Sequence, residues 1–375
     1  MNPAPPVVVS NALAIVERIL TPLPERRIHP AAVQKADALP DKSGAPSSST
    51  ALTGTLSRCP RDGPTSNLQL ETWKLKAETR PVRWEKVSLI GVGLLGGSLG
   101  LALKQRRLAR EVTGYVRRRA SIAECEKAGA VDRATLDLGT AVQDADLIVL
   151  CTPLGRMAIL AREFVSSVRP GTIVTDVGSV KSSVVAALEG LIGKAGGFFI
   201  GSHPMAGSEK TGVGAARADL FEDAFCVVTP TPRSEAGALR KVERLWKNVG
   251  SRVLRLEPAL HDELVSRSSH LPHLVAAGLT NLVLHPKARP EQGLLCANGF
   301  RDTTRIASGS PAMWRDIALA NQKGISNALD LFISDLQRLR RDLKRRDRAA
   351  ITRFLETAKR RRDDWSTQAR SSPLE

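Results

Sequence analysis

Aromatic side chains make up only 4% of this 375-residue chain, and cysteine occurs five times. The cysteines Cys59, Cys125, Cys151, Cys226 and Cys296 are scattered, odd in number and never in a C-x-x-C pair. That argues against a disulfide framework and a zinc cluster, so no metal is expected, and it fits a reducing compartment. No apolar run reaches the ~20 residues that a membrane span needs. The stretch from Val7 to Leu20 is interrupted by Asn11, Glu17 and Arg18 and follows no basic region, so no signal peptide is read there. A cytoplasmic location with no membrane partner is expected. Acidic residues are also short, 38 against 55 Lys and Arg, which leaves a formal charge of +17. Such a charge can mark a nucleic-acid binder. Here the basic residues are dispersed and few aromatics are available for base stacking. The reading is a basic, solvated surface suited to anionic small molecules, with no nucleic-acid partner.

What the chain does contain is a short glycine pattern that the rest is built around. The run Val87-Ser88-Leu89-Ile90 leads into Gly91-Val92-Gly93-Leu94-Leu95-Gly96 and then an apolar helical stretch. A strand, a tight turn and a helix in this order, with G-x-G-x-x-G spacing, predict a dinucleotide site. Gly91 allows the turn, Gly93 lets the backbone approach a pyrophosphate, and Gly96 lets helix and strand pack. The amides around Leu94 and Leu95 open the helix on which the phosphates sit.

Composition divides the remainder. Residues 1–82 are rich in Pro, Ser and Ala without sustained periodicity, and are read as a low-complexity, largely disordered extension. Residues 83–257 alternate strand and helix patterns, predicting a parallel sheet covered on both faces. Ligands of such sheets bind beyond the carboxyl ends of the strands. Thr152-Pro153, Gly178-Ser179 and Ser202-His203 follow strand ends and are expected to line one crevice, with 201–210 read as a loop. Residues 258–368 read as an all-helical domain, and 369–375 as a tail. From Leu331 onward there are 13 Lys/Arg against 7 Asp/Glu, a basic helical segment expected in a dimer interface.

The second strand ends Tyr115-Val116-Arg117-Arg118-Arg119, with no acid where a free ribose hydroxyl would be read. Arg117 and Arg118 suit a 2′-phosphate, which favours NADP and leaves NAD open. Four of the six histidines fall in three further segments: Ser202-His203-Pro204-Met205-Ala206-Gly207-Ser208-Glu209, His261-Asp262, and Ser269-His270-Leu271-Pro272-His273. Later come Phe300-Arg301-Asp302-Thr303-Thr304-Arg305-Ile306-Ala307 and Trp314.

With these motifs in this order, and Asp176-Val177-Gly178-Ser179-Val180-Lys181 between them, the chain from about Val87 to Asp364 resembles the prephenate/arogenate dehydrogenase family of tyrosine biosynthesis. The resemblance implies a Rossmann-type nucleotide-binding domain followed by a helical dimerisation domain, working as a homodimer. It implies oxidation of a cyclohexadienol with loss of CO₂, giving 4-hydroxyphenylpyruvate from prephenate or tyrosine from arogenate. By the same resemblance His203 is the base that takes the substrate hydroxyl proton, and Ser179 orients it and contacts substrate. Arg305 holds a substrate carboxylate, His273 lines the pocket and Glu209 is a gating or sensing acid, with a loop ion pair to Lys210 as its other reading. Trp314 is read either as packing near the pocket of the partner subunit or, more safely, as a core tryptophan, and His270 as a core residue. Ala297-Asn298-Gly299 stands where many members carry two glycines in a loop associated with tyrosine sensing. β-Hydroxyacid dehydrogenases share the domain plan but need a catalytic lysine where this chain offers histidines.

Overall fold

The computed structural model describes residues 83–208 and 210–371, with side chains through Thr367. The extension expected at 1–82, the site residue Glu209 and the end of the tail lie outside the described residues.

Eight strands form one sheet: β1 (Trp84–Ile90), β2 (Ala109–Tyr115), β3 (Arg133–Thr135), β4 (Leu147–Leu150), β5 (Ile173–Asp176), β6 (Phe198–Pro204), β7 (Phe225–Thr229) and β8 (Arg252–Arg255). Their spatial order is β3-β2-β1-β4-β5-β6-β7-β8. Pairing is parallel from β3 through to β6, so the first six strands follow the dinucleotide-binding order, whose topological switch lies between β1 and β4. Six helices accompany the sheet: α1 (Leu94–Gln105), α2 (Ala120–Lys127), α3 (Leu138–Val142), α4 (Leu154–Phe164), α5 (Ser182–Lys194) and α6 (Ala236–Asn248).

The continuous apolar strands are explained by burial on both faces. In β4, Leu147 and Val149 join a core with Leu99, Leu103 and Trp246, packed under α1 and α6. Ile148 and Leu150, pointing the other way, join Met157, Leu160, Phe164 and Leu188 under α4 and α5. Successive strand residues thus feed opposite cores. Each large side chain so buried contributes about 1.5–3 kcal/mol.

β6 departs from the sequence reading. Residues 201–204 continue the strand and pair antiparallel with β7, His203 opposite Val227. The parallel pairing with β5 ends at Ile200, and β7 takes over on the other edge. The connection back to β7 holds only a 3₁₀ turn, Val213–Ala215, among its described residues. Without a crossover helix the chain returns antiparallel. The short strand β3, which the apolar pattern does not announce, pairs with β2 at the sheet edge.

The chain then becomes helical: α7 (Pro258–Val265), a π-helical turn at Ser266–His270, α8 (Leu271–Val283), α9 (Pro290–Leu294), α10 (Asn298–Thr304), a 3₁₀ turn at Arg305–Ser308, α11 (Pro311–Ala320), α12 (Gln322–Arg345) and α13 (Arg348–Ser371). The π turn has a local cause. Pro272 has no N–H to donate four residues back, and the amide of Leu271 reaches the carbonyl of Ser266 instead. α13 runs past residue 368, where the helical region was expected to stop. Among the described residues no helix is long and apolar enough to cross a membrane.

Candidate active site

The carboxyl ends of β1, β4, β5 and the middle of β6 lie side by side, and the predicted site residues divide between two ends of this crevice. At the first end, Gly91 takes φ +102°, a conformation that L side chains rarely adopt. A Cβ on Gly96 would lie 2.1 Å from the Gly91 carbonyl oxygen, so only glycine lets α1 start this close to the strand. A Cβ on Gly93 would meet nothing within 4 Å. The space above the turn is open, and Gly93, the N-cap of α1, makes no side-chain cap. The amides of Leu94, Leu95 and Gly96 open that helix without partners from the preceding turn, as in an anion site.

Thr152, after β4, lies against the turn: its Cγ2 is 2.9 Å from the position of a Gly91 Cβ. Its buried hydroxyl has no hydrogen-bond partner among the described residues. Pro153 follows as the N-cap of α4. Arg117 and Arg118 are exposed on the turn between β2 and α2, and no ion pair engages either among the described residues. The backbone is tied to the glycine turn nearby, Gly91 N–H donating to the Tyr115 carbonyl at 3.1 Å. Open space, unpartnered amides, an orphaned hydroxyl and two free cations fit a dinucleotide.

The second end is buried. His203, 7% exposed, faces His261 with Nδ1 2.9 Å from its partner's Nε2. His261 Nδ1 is 2.8 Å from Asp262 Oδ1. Asp262 accepts the first amides of α5, from Lys181 N–H at 2.7 Å and Ser182 N–H at 2.8 Å. One carboxylate of the helical region therefore caps a helix of the sheet region. Burial raises the Asp262 carboxyl, but hydrogen bonds from His261, Lys181 and Ser182 outweigh it and hold the carboxyl below its ordinary value.

Beneath lies a fully buried ion pair, Lys181 with Asp176. The Lys181 ammonium also donates to the Ser202 carbonyl at 2.7 Å, and Asp176 accepts from Gly178 N–H at 2.8 Å and Ser202 N–H at 3.1 Å. Burial pushes the Lys181 amine below its ordinary value, partly offset by Asp176 and Asp262. These groups act on His203 in turn. Burial first, then the neighbouring His261, Lys181 and His270, push its pKa well below the usual histidine value. The ring is neutral at pH 7.

The other predicted residues surround this cluster. Ser179 is half-buried just after β5, but among the described residues the ring bond of His203 goes to His261, not Ser179. His270 accepts from Asn321 Nδ2 at 3.2 Å and lies against the Ser179 backbone, while its buried Nε2 meets no partner of good hydrogen-bond geometry among the described residues. Burial is the main cause holding its pKa down at about 4. His273, buried and likewise lowered by burial, stacks on Trp314 with ring centroids 3.5 Å apart and 11° between planes. Trp314 also meets His270 edge-on at 6.1 Å, so the tryptophan packs against both histidines of its own chain. A Cβ on Gly309 would fall 2.7 Å from Trp314 Nε1 and 3.1 Å from the His273 ring, so this approach needs glycine. Arg305 is exposed at the start of the 3₁₀ turn that packs on α8, the helix of His273.

Asp176, Lys181, His261, Asp262 and Asn321 belong to the cluster without having been assigned roles from sequence. The first four lie in stretches that stand out there, whereas Asn321, between α11 and α12, carries no sequence signal. Among the described residues no group of three or more His, Cys, Asp or Glu side chains could hold a metal ion.

Residues 99–255 match the family described as "Prephenate dehydrogenase, nucleotide-binding domain", and residues 257–357 match "Prephenate dehydrogenase, dimerization domain". The "Prephenate dehydrogenase" of Bacillus subtilis (strain 168) is 34% identical over 281 residues, 74% of this chain and 76% of that one. The chain belongs to the prephenate dehydrogenase family. Among solved structures of similar fold is the prephenate dehydrogenase of A. aeolicus in complex with hydroxyphenyl propionate and NAD+, with TM-score 0.71 and 31% identity over 76% of this chain and 99% of that one. Another is the Synechocystis arogenate dehydrogenase, with TM-score 0.63 and 30% identity over 75% and 99%. As a prephenate dehydrogenase family member the chain is an oxidoreductase with a Rossmann-type domain and a helical domain after it.

Proposed function

We propose that this protein is an NAD(P)-dependent prephenate dehydrogenase, oxidising prephenate to 4-hydroxyphenylpyruvate with loss of CO₂. The observation that carries the reading is a neutral, buried histidine at the carboxyl edge of a dinucleotide-binding sheet. The nicotinamide, when bound, supplies the hydride acceptor for the substrate C4 hydrogen. His203 takes the C4 hydroxyl proton as the C–H bond breaks, and its lowered pKa keeps it unprotonated and ready at neutral pH. Decarboxylation, driven by aromatisation, leaves a phenolic oxygen to which the same ring returns the proton. Ser179, at the neighbouring strand end, contacts substrate beside the histidine. Arg305 receives a substrate carboxylate, a task that suits a planar fork of donors. His273 borders the pocket, and Glu209 is assigned to it on family resemblance alone.

Gly91, Gly93, Leu94, Leu95 and Gly96 would hold the pyrophosphate, and Thr152 and Pro153 would face the nicotinamide half. Arg117 and Arg118 favour NADP, because two exposed cations stand where the adenosine ribose is read. Arogenate is the second reading, supported by the similarity to an arogenate dehydrogenase. The two substrates differ only in a side-chain keto or amino group. A single absorbance assay crossing prephenate and arogenate with NAD and NADP tests both choices. Turnover with neither substrate would sink the reading.

The working form is a homodimer. From Leu260 onward the helical region leaves Leu282, Leu294, Leu295, Leu319, Leu355 and Trp365 more than half exposed, and a second copy would cover them. A monomeric mass at micromolar concentration in sedimentation would refute this. The protein acts in the cytoplasm, in keeping with its dispersed cysteines.

A further inference from the structure

We propose that His261 and Asp262 position His203, fixing its ring in the tautomer whose Nε2 carries the lone pair and holding the positive charge it gains on taking a proton. This rests on the reading of His203 as the base. The argument runs outward from the carboxylate. Asp262 receives two backbone amides and the His261 ring, and its ionised form can only accept hydrogen bonds. His261 Nδ1 must therefore carry the hydrogen, and a ring with its one hydrogen there offers a lone pair at Nε2. That lone pair lies 2.9 Å from His203 Nδ1, a contact that needs one hydrogen between the nitrogens. The hydrogen belongs to His203 Nδ1, so its Nε2 is unprotonated. The rings stand at 71°, with centroids 5.1 Å apart, so the His203 plane is fixed by an edge contact.

When Nε2 takes the substrate hydroxyl proton, the O–H bond breaks, an N–H bond forms and the ring becomes an imidazolium. Its Nδ1–H then donates to a ring already polarised by the Asp262 carboxylate. This opposes the other charges around His203. In their charged forms His261, Lys181 and His270 all resist a positive ring, whereas Asp176 lies against the Lys181 ammonium and Cys226, on β7, remains an uncharged thiol because burial raises its pKa. Asp262 supplies the compensating negative charge through one intervening ring. Such a partner fixes a histidine's tautomer and orientation.

The test compares His261→Phe, which removes the acceptor, with His261→Gln, which restores an amide oxygen near the position of Nε2. Steady-state kinetics with prephenate are read beside the ring nitrogen chemical shifts of isotope-labelled histidine, with His203 assigned through His203→Asn. In the unaltered protein His203 is expected as a single Nδ1–H tautomer. His261→Phe is expected to lower kcat roughly tenfold to a hundredfold, to leave KM within about threefold and to give a tautomer mixture. His261→Gln is expected to recover kcat to within about fivefold and to restore the single tautomer. An Nε2–H tautomer in the unaltered protein, an unchanged kcat in His261→Phe, or equal impairment of both variants without a change of tautomer would each overturn the proposal. If His261→Phe does not fold, the unaltered protein and His261→Gln still decide it by their tautomers. The tautomer needs no turnover to be read, so a wrong base assignment appears separately, as full activity in His203→Asn.

Discussion

The two ends of the crevice are built by different means. The glycine end is local: six residues from Gly91 to Gly96 set the turn, the space at Gly93 is open and Arg117 and Arg118 are exposed. The histidine end is non-local, assembled from β5, α5, β6, α7 and Asn321, with nearly every member buried. The first end can grip a ligand with backbone and surface cations at little desolvation cost. The second buries its polar groups and pairs nearly all of them, because each one left unpaired, such as His270 Nε2, costs about 1–3 kcal/mol. Affinity for a nucleotide and control of a proton are therefore vulnerable to different substitutions.

That contrast breaks most severely at His203. His203→Asn is expected to lower kcat by roughly a hundredfold to ten-thousandfold, with nucleotide binding nearly unchanged. Parallel loss of nucleotide affinity in a titration would show that the ends are not separable. The next effect is on stability. His270, with a pKa of about 4 against the ordinary 6.5, stays neutral in the fold while the unfolded chain takes up protons. The unfolded state then binds more protons, so stability is full above pH 6.5 and falls as pH drops towards 4, by about 3 kcal/mol. Urea unfolding across this window measures it, and His270→Gln is expected to flatten the dependence. An equally steep curve in that variant would move the cause to the other buried histidines.

Smaller effects sharpen the comparison at its margins. Arg305→Ala is expected to raise the substrate KM roughly tenfold to a hundredfold through loss of a charged hydrogen-bond pair. An unchanged KM would remove Arg305 from the carboxylate. Replacing Arg117 and Arg118 together with Ser is expected to weaken NADP roughly tenfold while sparing NAD and kcat. Equal weakening of both cofactors would leave these arginines as general surface charge.

Legibility in the sequence follows the same division. The glycine turn, the sheet strands and the change to helices can be read because spacing and apolar runs are properties of neighbouring residues. His203 stands out with its motif, but its surroundings do not. Residues 201–204 look like a loop, with Gly201 and Pro204 as turn signals, yet β7 captures them as strand. That His203 leans on His261, 58 positions away, is set by packing between the sheet and helical regions. Trp314 reads in sequence as a core tryptophan or as one packed near the pocket of the partner subunit, and only the fold shows it stacked on His273. The π turn is explicable from Pro272, but its effect on where His270 and His273 face needs the helix itself.

Asp262 gives two regions of the protein a shared evolutionary fate. Its oxygens hold the first amides of α5 and the ring of His261 at once. Selection for a firmer helix start and selection for a differently oriented His203 both act on this one side chain. A substitution there changes both traits in a single step, so the position is constrained by their intersection and has fewer acceptable residues than either trait would leave it alone.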